Sequence, residues 1–131
     1  FKFQKIISKN AYIGPNVIIG EGTLVVSGST INIGTKIGKH CILNTSSSID
    51  HDNRFNDFSG TGPGVVTGGN VVVGEKSYIG MGSIIKNNIN ISNDTIVGFS
   101  SLVNKDCDRN SVYWGSPAKK KRARKYNENY L

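Results

Sequence analysis

The chain has 131 residues, 37% of them hydrophobic, and a net charge of +7, which is the size of one domain. No apolar run approaches the ~20 residues of a membrane-spanning helix, and the start, Phe1-Lys2-Phe3-Gln4-Lys5, is too short and mixed for a signal peptide. The first residue is not Met, so the chain reads as a fragment or a processed product. The charge is uneven: residues 119–131 hold six cations (Lys119, Lys120, Lys121, Arg122, Arg124 and Lys125) against Glu128, while the rest is nearly neutral.

After a lead-in over 1–6, residues 7–108 divide into seventeen consecutive hexapeptides with no insertion or deletion. The first position is large and apolar in fifteen of them, from Ile7, Ile13 and Ile19 through Phe55 to Val97 and Val103; Thr61 and Thr67 are the exceptions. The second position is Gly in eight, and the fifth is mostly small, as at Thr23, Ser29, Cys41 and Ser77. A period of six suits neither an amphipathic helix nor a half-buried strand. It suits a short strand and a turn, with a large side chain pointing inward and a small one filling the corner. Glycine after the aliphatic residue fits a turn needing positive φ or close backbone approach. Three sides close a coil of eighteen residues, so the expected fold is an all-β parallel β-helix of nearly six coils, stacked at about 4.8 Å. The repeat alone leaves the hand of the helix open. Residues 109–131 read as a closing loop and basic tail.

Cys41 and Cys107 fall in the small inward rank, several coils apart, and are expected as unpaired core residues, consistent with a cytoplasmic setting. With only His40 and His51 present and both cysteines inward, no metal site is expected. The glycosylation-type triplets at Asn44, Asn90 and Asn93 are chance matches in an Asn-rich chain.

Function must come from outward positions. His51 lies in the third-position rank between Asp50 and Asp52, with Gly69 one coil above it; in the same rank Phe99 lies one coil above Met81. An imidazole beside a bare backbone and a two-residue apolar stripe outline a slot suited to acyl transfer. His51 can accept a proton near neutral pH, an adjacent carboxylate raises its basicity, and the Gly69 amide can donate to an oxyanion. No Ser or Cys stands as a nucleophile, which favours direct transfer in a ternary complex. The alternative reading of His51 is a solvated surface residue, and the same reading suits His40, which lacks a flanking acid.

The stretch Asn44-Thr45-Ser46-Ser47-Ser48-Ile49-Asp50-His51-Asp52, followed by Gly68-Gly69-Asn70-Val71 and the closing Gly115-Ser116-Pro117-Ala118-Lys119, resembles the hexapeptide-repeat sugar O- and N-acetyltransferases, the group with sialic acid O-acetyltransferases and UDP-4-amino-sugar N-acetyltransferases. The resemblance covers nearly the whole chain. It implies a left-handed helix, a homotrimer with sites between neighbouring subunits, acetyl-CoA as donor, and a sugar or sugar-nucleotide acceptor in surface-glycan synthesis. Carried onto this sequence, it makes His51 the base and Asp52 its carboxylate. Gly69 then contacts the acetyl carbonyl, Met81 and Phe99 line the pantetheine path, and Asn44 lies near the acceptor. Gly60 stands where the family usually carries a second His toward the cofactor or acceptor, and Phe55-Asn56 replaces a usual Ile-Gly pair. Relatives often carry a nucleotide-holding domain before the point where this chain begins. The basic tail, Lys119 included, reads as a solvated cap or as a contact for the CoA phosphate; nucleic acid is not expected, since no aromatic platform accompanies the charges. The rival to an enzyme is a non-catalytic trimeric scaffold or binding module.

Overall fold

Each hexapeptide contributes one two-residue strand, and three strands make a coil. In this computed structural model, which describes residues 1–129, the first coil holds β1 (Ile6–Ile7), β2 (Tyr12–Ile13) and β3 (Ile18–Ile19), the second β4 (Leu24–Val25), β5 (Thr30–Ile31) and β6 (Lys36–Ile37). The third holds β7 (Ile42–Leu43), β8 (Ser48–Ile49) and β9 (Arg54–Phe55), the fourth β10 (Gly60–Thr61), β11 (Val66–Thr67) and β12 (Val72–Val73). Then come β13 (Tyr78–Ile79), β14 (Ile84–Ile85) and β15 (Asn90–Ile91), β16 (Ile96–Val97) and β17 (Leu102–Val103), and the longer β18 (Ser111–Gly115) and β19 (Ala118–Ala123). Tyr130 and Leu131, the end of the expected tail, lie outside the described residues.

Strands stack into three sheets, β1-β4-β7-β10-β13-β16-β18-β19, β2-β5-β8-β11-β14-β17 and β3-β6-β9-β12-β15, parallel in every pair but β18–β19. We call these faces A, B and C. Partners are eighteen residues apart, as in Ile6↔Leu24 and Thr67↔Ile85, so the chain is a three-sided parallel β-helix. No helix among the described residues is long and apolar enough to cross a membrane.

First-position side chains fill the axis: Val25, Ile31, Leu43, Ile49, Phe55, Ile79 and Ile91 are all buried. Fifth-position hydroxyls close the corners by donating to a carbonyl fifteen residues on, as Thr23 Oγ1 does to Gly38 O (2.8 Å) and Ser77 Oγ to Ser92 O (2.7 Å). This is why small hydroxylated residues dominate that rank: each satisfies a polar group that the stacked turns would otherwise bury. The second-position glycines serve close approach. A Cβ at Gly80 would come within 2.6 Å of the Phe99 nitrogen in the coil above. Positive φ falls instead at the fourth position, taken by Asp52 (55°), Asn70 (56°) and Gly34 (74°), residue types that tolerate the left-handed region.

The eighteen-residue register runs to β17 and then shortens. Ile91 bridges Cys107 and Ile96 pairs with Val112, both sixteen residues on. Asp106 Oδ1 accepts the Asn90 N–H at 2.8 Å, so a carboxylate replaces a strand carbonyl and the final hexapeptide is cut short. Cys41 and Cys107 are free and buried; burial pushes the Cys107 thiol up to about 12 and raises Cys41 as well. At the C-terminal end β19 folds back antiparallel on β18, with Arg122 and Glu128 paired and Lys120 3.3 Å from Asp108. The Arg122 hydrogen bond holds the Glu128 carboxyl down at about 2.

Candidate active site

His51 and Asp52 form the two-residue turn between β8 on face B and β9 on face C. Asp52 adopts a left-handed conformation, which brings its carboxylate back to the imidazole: His51 Nδ1 and Asp52 Oδ2 are 2.9 Å apart. That contact fixes the ring, with Nε2 pointing away from the acid. Asp50 does different work. Its Oδ1 accepts the His51 N–H (2.8 Å) and the Asn32 side-chain amide (3.3 Å), so it braces the backbone of the turn.

Glycines clear space on both sides of the pair. A Cβ at Gly69, in the coil above, would collide with the His51 ring, and one at Gly34, in the coil below, with Asp52 Oδ1. The Asn70 N–H donates to His51 O at 3.0 Å, tying the two turns together, while no acceptor for the Gly69 N–H is found among the described residues. An unengaged amide therefore adjoins the free edge of a basic imidazole. The Asp52 hydrogen bond, and after it the charges of Asp50 and Asp52, hold His51 above the usual imidazole value despite some desolvation. Removing that bond has a readable result. In Asp52→Asn, the His51 ring titration followed by NMR should move to lower pH, and with it the acid limb of any rate that needs neutral His51. An unmoved midpoint would mean the two side chains do not touch in solution.

Two supports of this turn, and one of Asn44, are not evident from outward positions. Asn53 is buried in the small-residue rank, and its Nδ2 donates to Asp50 O (2.7 Å), Gly68 O (2.9 Å) and His51 O (3.2 Å). Thr67 Oγ1 accepts the Asp50 N–H and Thr61 Oγ1 the Asn44 N–H, both at 3.2 Å. In neighbouring coils the equivalent N–H uses a backbone carbonyl, as Asn32 does with Ile49 O (2.9 Å) and Gly68 with Ile85 O (2.8 Å). The two threonines that break the apolar rank thus each hold a backbone group at Asn44 and beside His51. An Asn among small residues and a Thr among aliphatics were the available signals.

The structure brings His51, Asp52 and Gly69 together. It does not join them to the other expected residues within one chain. Met81 and Phe99, 56% and 73% exposed, stack on the corner between faces A and B, two and three coils above Asn44 on that same corner. The slot expected from the third-position rank is therefore two half-sites, at opposite edges of face B. Gly60 lies on face A between Ile42 and Tyr78, and Lys119 pairs with Trp114 in the closing hairpin, whose Cβ would meet a Cβ placed on Gly98 at 2.9 Å. His40, the second histidine, lies between Phe3 and Phe58 on the third corner, its ring stacked on Phe58 at 5.2 Å. Among the described residues no cluster of His, Cys, Asp or Glu could hold a metal ion.

No family model matches the sequence. Individual proteins do. The chain is 31% identical over 80 residues to a GDP-perosamine N-acetyltransferase of Escherichia coli, covering 61% of this chain and 36% of that one. It is 33% identical over 99 residues to a UDP-3-O-acylglucosamine N-acyltransferase of Polynucleobacter asymbioticus, covering 72% and 27%. A solved GDP-perosamine N-acetyl transferase of Caulobacter crescentus, a histidine-to-alanine variant in complex with CoA and GDP-perosamine, superposes with a TM-score of 0.92 at 34% identity, over 93% of this chain and 58% of that one. The acetyltransferase domain of PglB from Neisseria gonorrhoeae gives 0.90 at 28% identity, over 92% and 58%. The chain thus spans about a third of the curated relatives' length, or less, and 58% of these two structures. Its unbroken coils and the relatives that match them point the same way: over nearly its whole length the chain is similar to the β-helix part of sugar N-acyltransferases.

Proposed function

We propose that this protein transfers the acetyl group of acetyl-CoA to an amino or hydroxyl group of a nucleotide-linked sugar, by direct attack in a ternary complex, in bacterial surface-glycan synthesis in the cytoplasm. The observation that carries the reading is the His51–Asp52 pair set against the unengaged Gly69 amide, in a chain 34% identical to a transferase solved with CoA and GDP-perosamine. The relatives are N-acyltransferases, which favours an amino acceptor.

In this mechanism His51 Nε2 takes the proton from the acceptor as its nitrogen or oxygen attacks the thioester carbon. Asp52 holds the opposite ring nitrogen and stabilises the imidazolium that results. The Gly69 N–H donates to the oxygen as it gains charge, and collapse of the tetrahedral intermediate expels the CoA thiolate. Met81 and Phe99 offer an apolar path for the pantetheine arm, with Gly60 and Lys119 toward the cofactor and Asn44 toward the acceptor. Since the half-sites sit on different corners, the second is supplied by a neighbouring copy in a homotrimer of left-handed helices. Face B, which joins the two corners, supports this: its outward column Val66, Ile84 and Leu102 is 42%, 50% and 36% exposed, an apolar stripe suited to burial between subunits.

Acetyl-CoA at a hundredfold over its Kd should stabilise the protein by about 2.7 kcal/mol, a rise in melting temperature of roughly 5 °C or more. Transfer to a nucleotide-linked amino sugar would then appear as loss of the thioester. No shift at millimolar acetyl-CoA would favour a non-catalytic trimeric scaffold instead.

A further inference from the structure

Face C carries a pair of cations that neither the fold nor the proton-transfer step requires. Lys36 and Arg54 are direct partners in the β6–β9 ladder. Both occupy outward positions and both are exposed. Like charges placed opposite each other on neighbouring strands, about 4.8 Å apart, destabilise a sheet unless something neutralises them. Nothing among the described residues does so. Among the described residues neither Lys36 nor Arg54 has a carboxylate within ion-pair distance. The acids near them are engaged elsewhere. Glu21 pairs with Lys39 at 3.4 Å, Asp57 Oδ1 accepts the Lys39 N–H at 2.8 Å, Asp52 is on His51, and Asp50 is on its own turn.

The pair is also oriented. Arg54 Nε donates to Asn56 Oδ1 at 3.1 Å, which leaves the two terminal nitrogens of its guanidinium to face solvent. A shallow trough of about 130 Å³ runs beside it, lined by Lys36, Gly38, Arg54, Asn56 and Asp57 among others. Gly38 keeps the trough open, since a Cβ there would collide with the Asp57 carboxylate. Arg54 begins the strand that leaves the His51 turn, three residues on. At about 3.3 Å per residue that is roughly 10 Å of chain, and Lys36 lies one coil farther from Gly69.

We propose that Lys36 and Arg54 form a diphosphate-binding pair that anchors the nucleotide portion of a substrate while its reactive end reaches His51. Two cations at strand spacing match two linked phosphates, and an arginine held at Nε presents its remaining nitrogens as a fork to phosphate oxygens. A nucleotide-linked sugar and CoA both carry a diphosphate. The position on the side of His51 away from Gly69 assigns the pair to the sugar nucleotide, which rests on the acetyl-transfer reading; the diphosphate chemistry does not.

The test is binding rather than turnover. Inorganic pyrophosphate, GDP and CoA are titrated separately into the wild-type chain and a Lys36→Gln/Arg54→Gln double variant, followed by the amide shifts of Gly38, Arg54 and Asn56. Pyrophosphate and GDP should bind at least tenfold more weakly to the variant, with CoA unchanged. If CoA weakens as well, the diphosphate pair stands and serves the donor. Unchanged affinity for all three probes would overturn the proposal. So would an equal loss in a Lys9→Gln/Lys105→Gln control, since net charge alone would then explain the effect. Loss of acetyl transfer as a function would leave the pyrophosphate result intact, so the two ideas fail separately.

Discussion

His51→Ala should slow acetyl transfer by at least about a hundredfold, within the 10²–10⁴ range typical of a positioned general base, with melting temperature and oligomeric state preserved. The side chain sits on an exposed turn, and among the described residues its one hydrogen bond is to Asp52. The backbone bonds of the turn, from Asp50 Oδ1 to the His51 N–H and from the Asn70 N–H to His51 O, survive the change. The Gly69 amide also survives, so some rate above the uncatalysed reaction should remain. A steady-state rate equal to wild type would sink the assignment of His51 as base. Loss of the native melting transition together with the rate would instead make His51 structural.

Thr67→Val separates folding from function in the opposite sense. Val is the residue type the repeat asks for at that position, and Thr67 is only 3% exposed. Replacing the hydroxyl by a methyl gains about 1 kcal/mol of apolar burial. An Asp50 N–H left without an acceptor would cost about 1–3 kcal/mol, but the regular ladder offers it the backbone carbonyl used in the neighbouring coils. The expected result is a melting temperature unchanged within a few degrees or slightly higher. Turnover should nonetheless fall about tenfold. If Asp50 returns to the regular position, it carries along the carboxylate that braces His51, and small displacements of reacting groups are costly. Thr67→Ser, which restores the hydroxyl, should recover the rate. Full turnover in the Val variant would show that the hydroxyl plays no part in placing the base.

These two residues also mark what the sequence made legible. The eighteen-residue coil correctly set His51 beneath Gly69 and Met81 beneath Phe99, because identical ranks stack whatever their side chains. It also put both cysteines in the core. The same numbering did not separate the corners: third-position residues share a rank but alternate among three edges, so His51 and Met81 looked like neighbours. Gly34 escaped notice because its role is to leave room for Asp52, and an absent side chain carries no chemical signature. Thr67 and Asn53 were visible as irregularities in otherwise uniform ranks. Local rules are broken where function needs something other than the most regular core. The shortened last coil had no such signal, since Asp106 replaces a backbone carbonyl through a hydrogen bond that periodicity cannot reveal.

The constant eighteen-residue register makes the molecule a ruler. Each coil adds about 4.8 Å along the axis, and each touches only its immediate neighbours. The distance from the His51 turn to the closing hairpin is therefore counted in whole coils. Gaining or losing eighteen residues between Asn70 and Val103 would leave His51, Asp52 and their glycines in register while moving the lysine-bearing end by one fixed step. A gain of six residues would instead move every later side chain to the next edge. The length of molecule the helix can measure is thus adjustable in discrete units, independently of the chemistry at its corner.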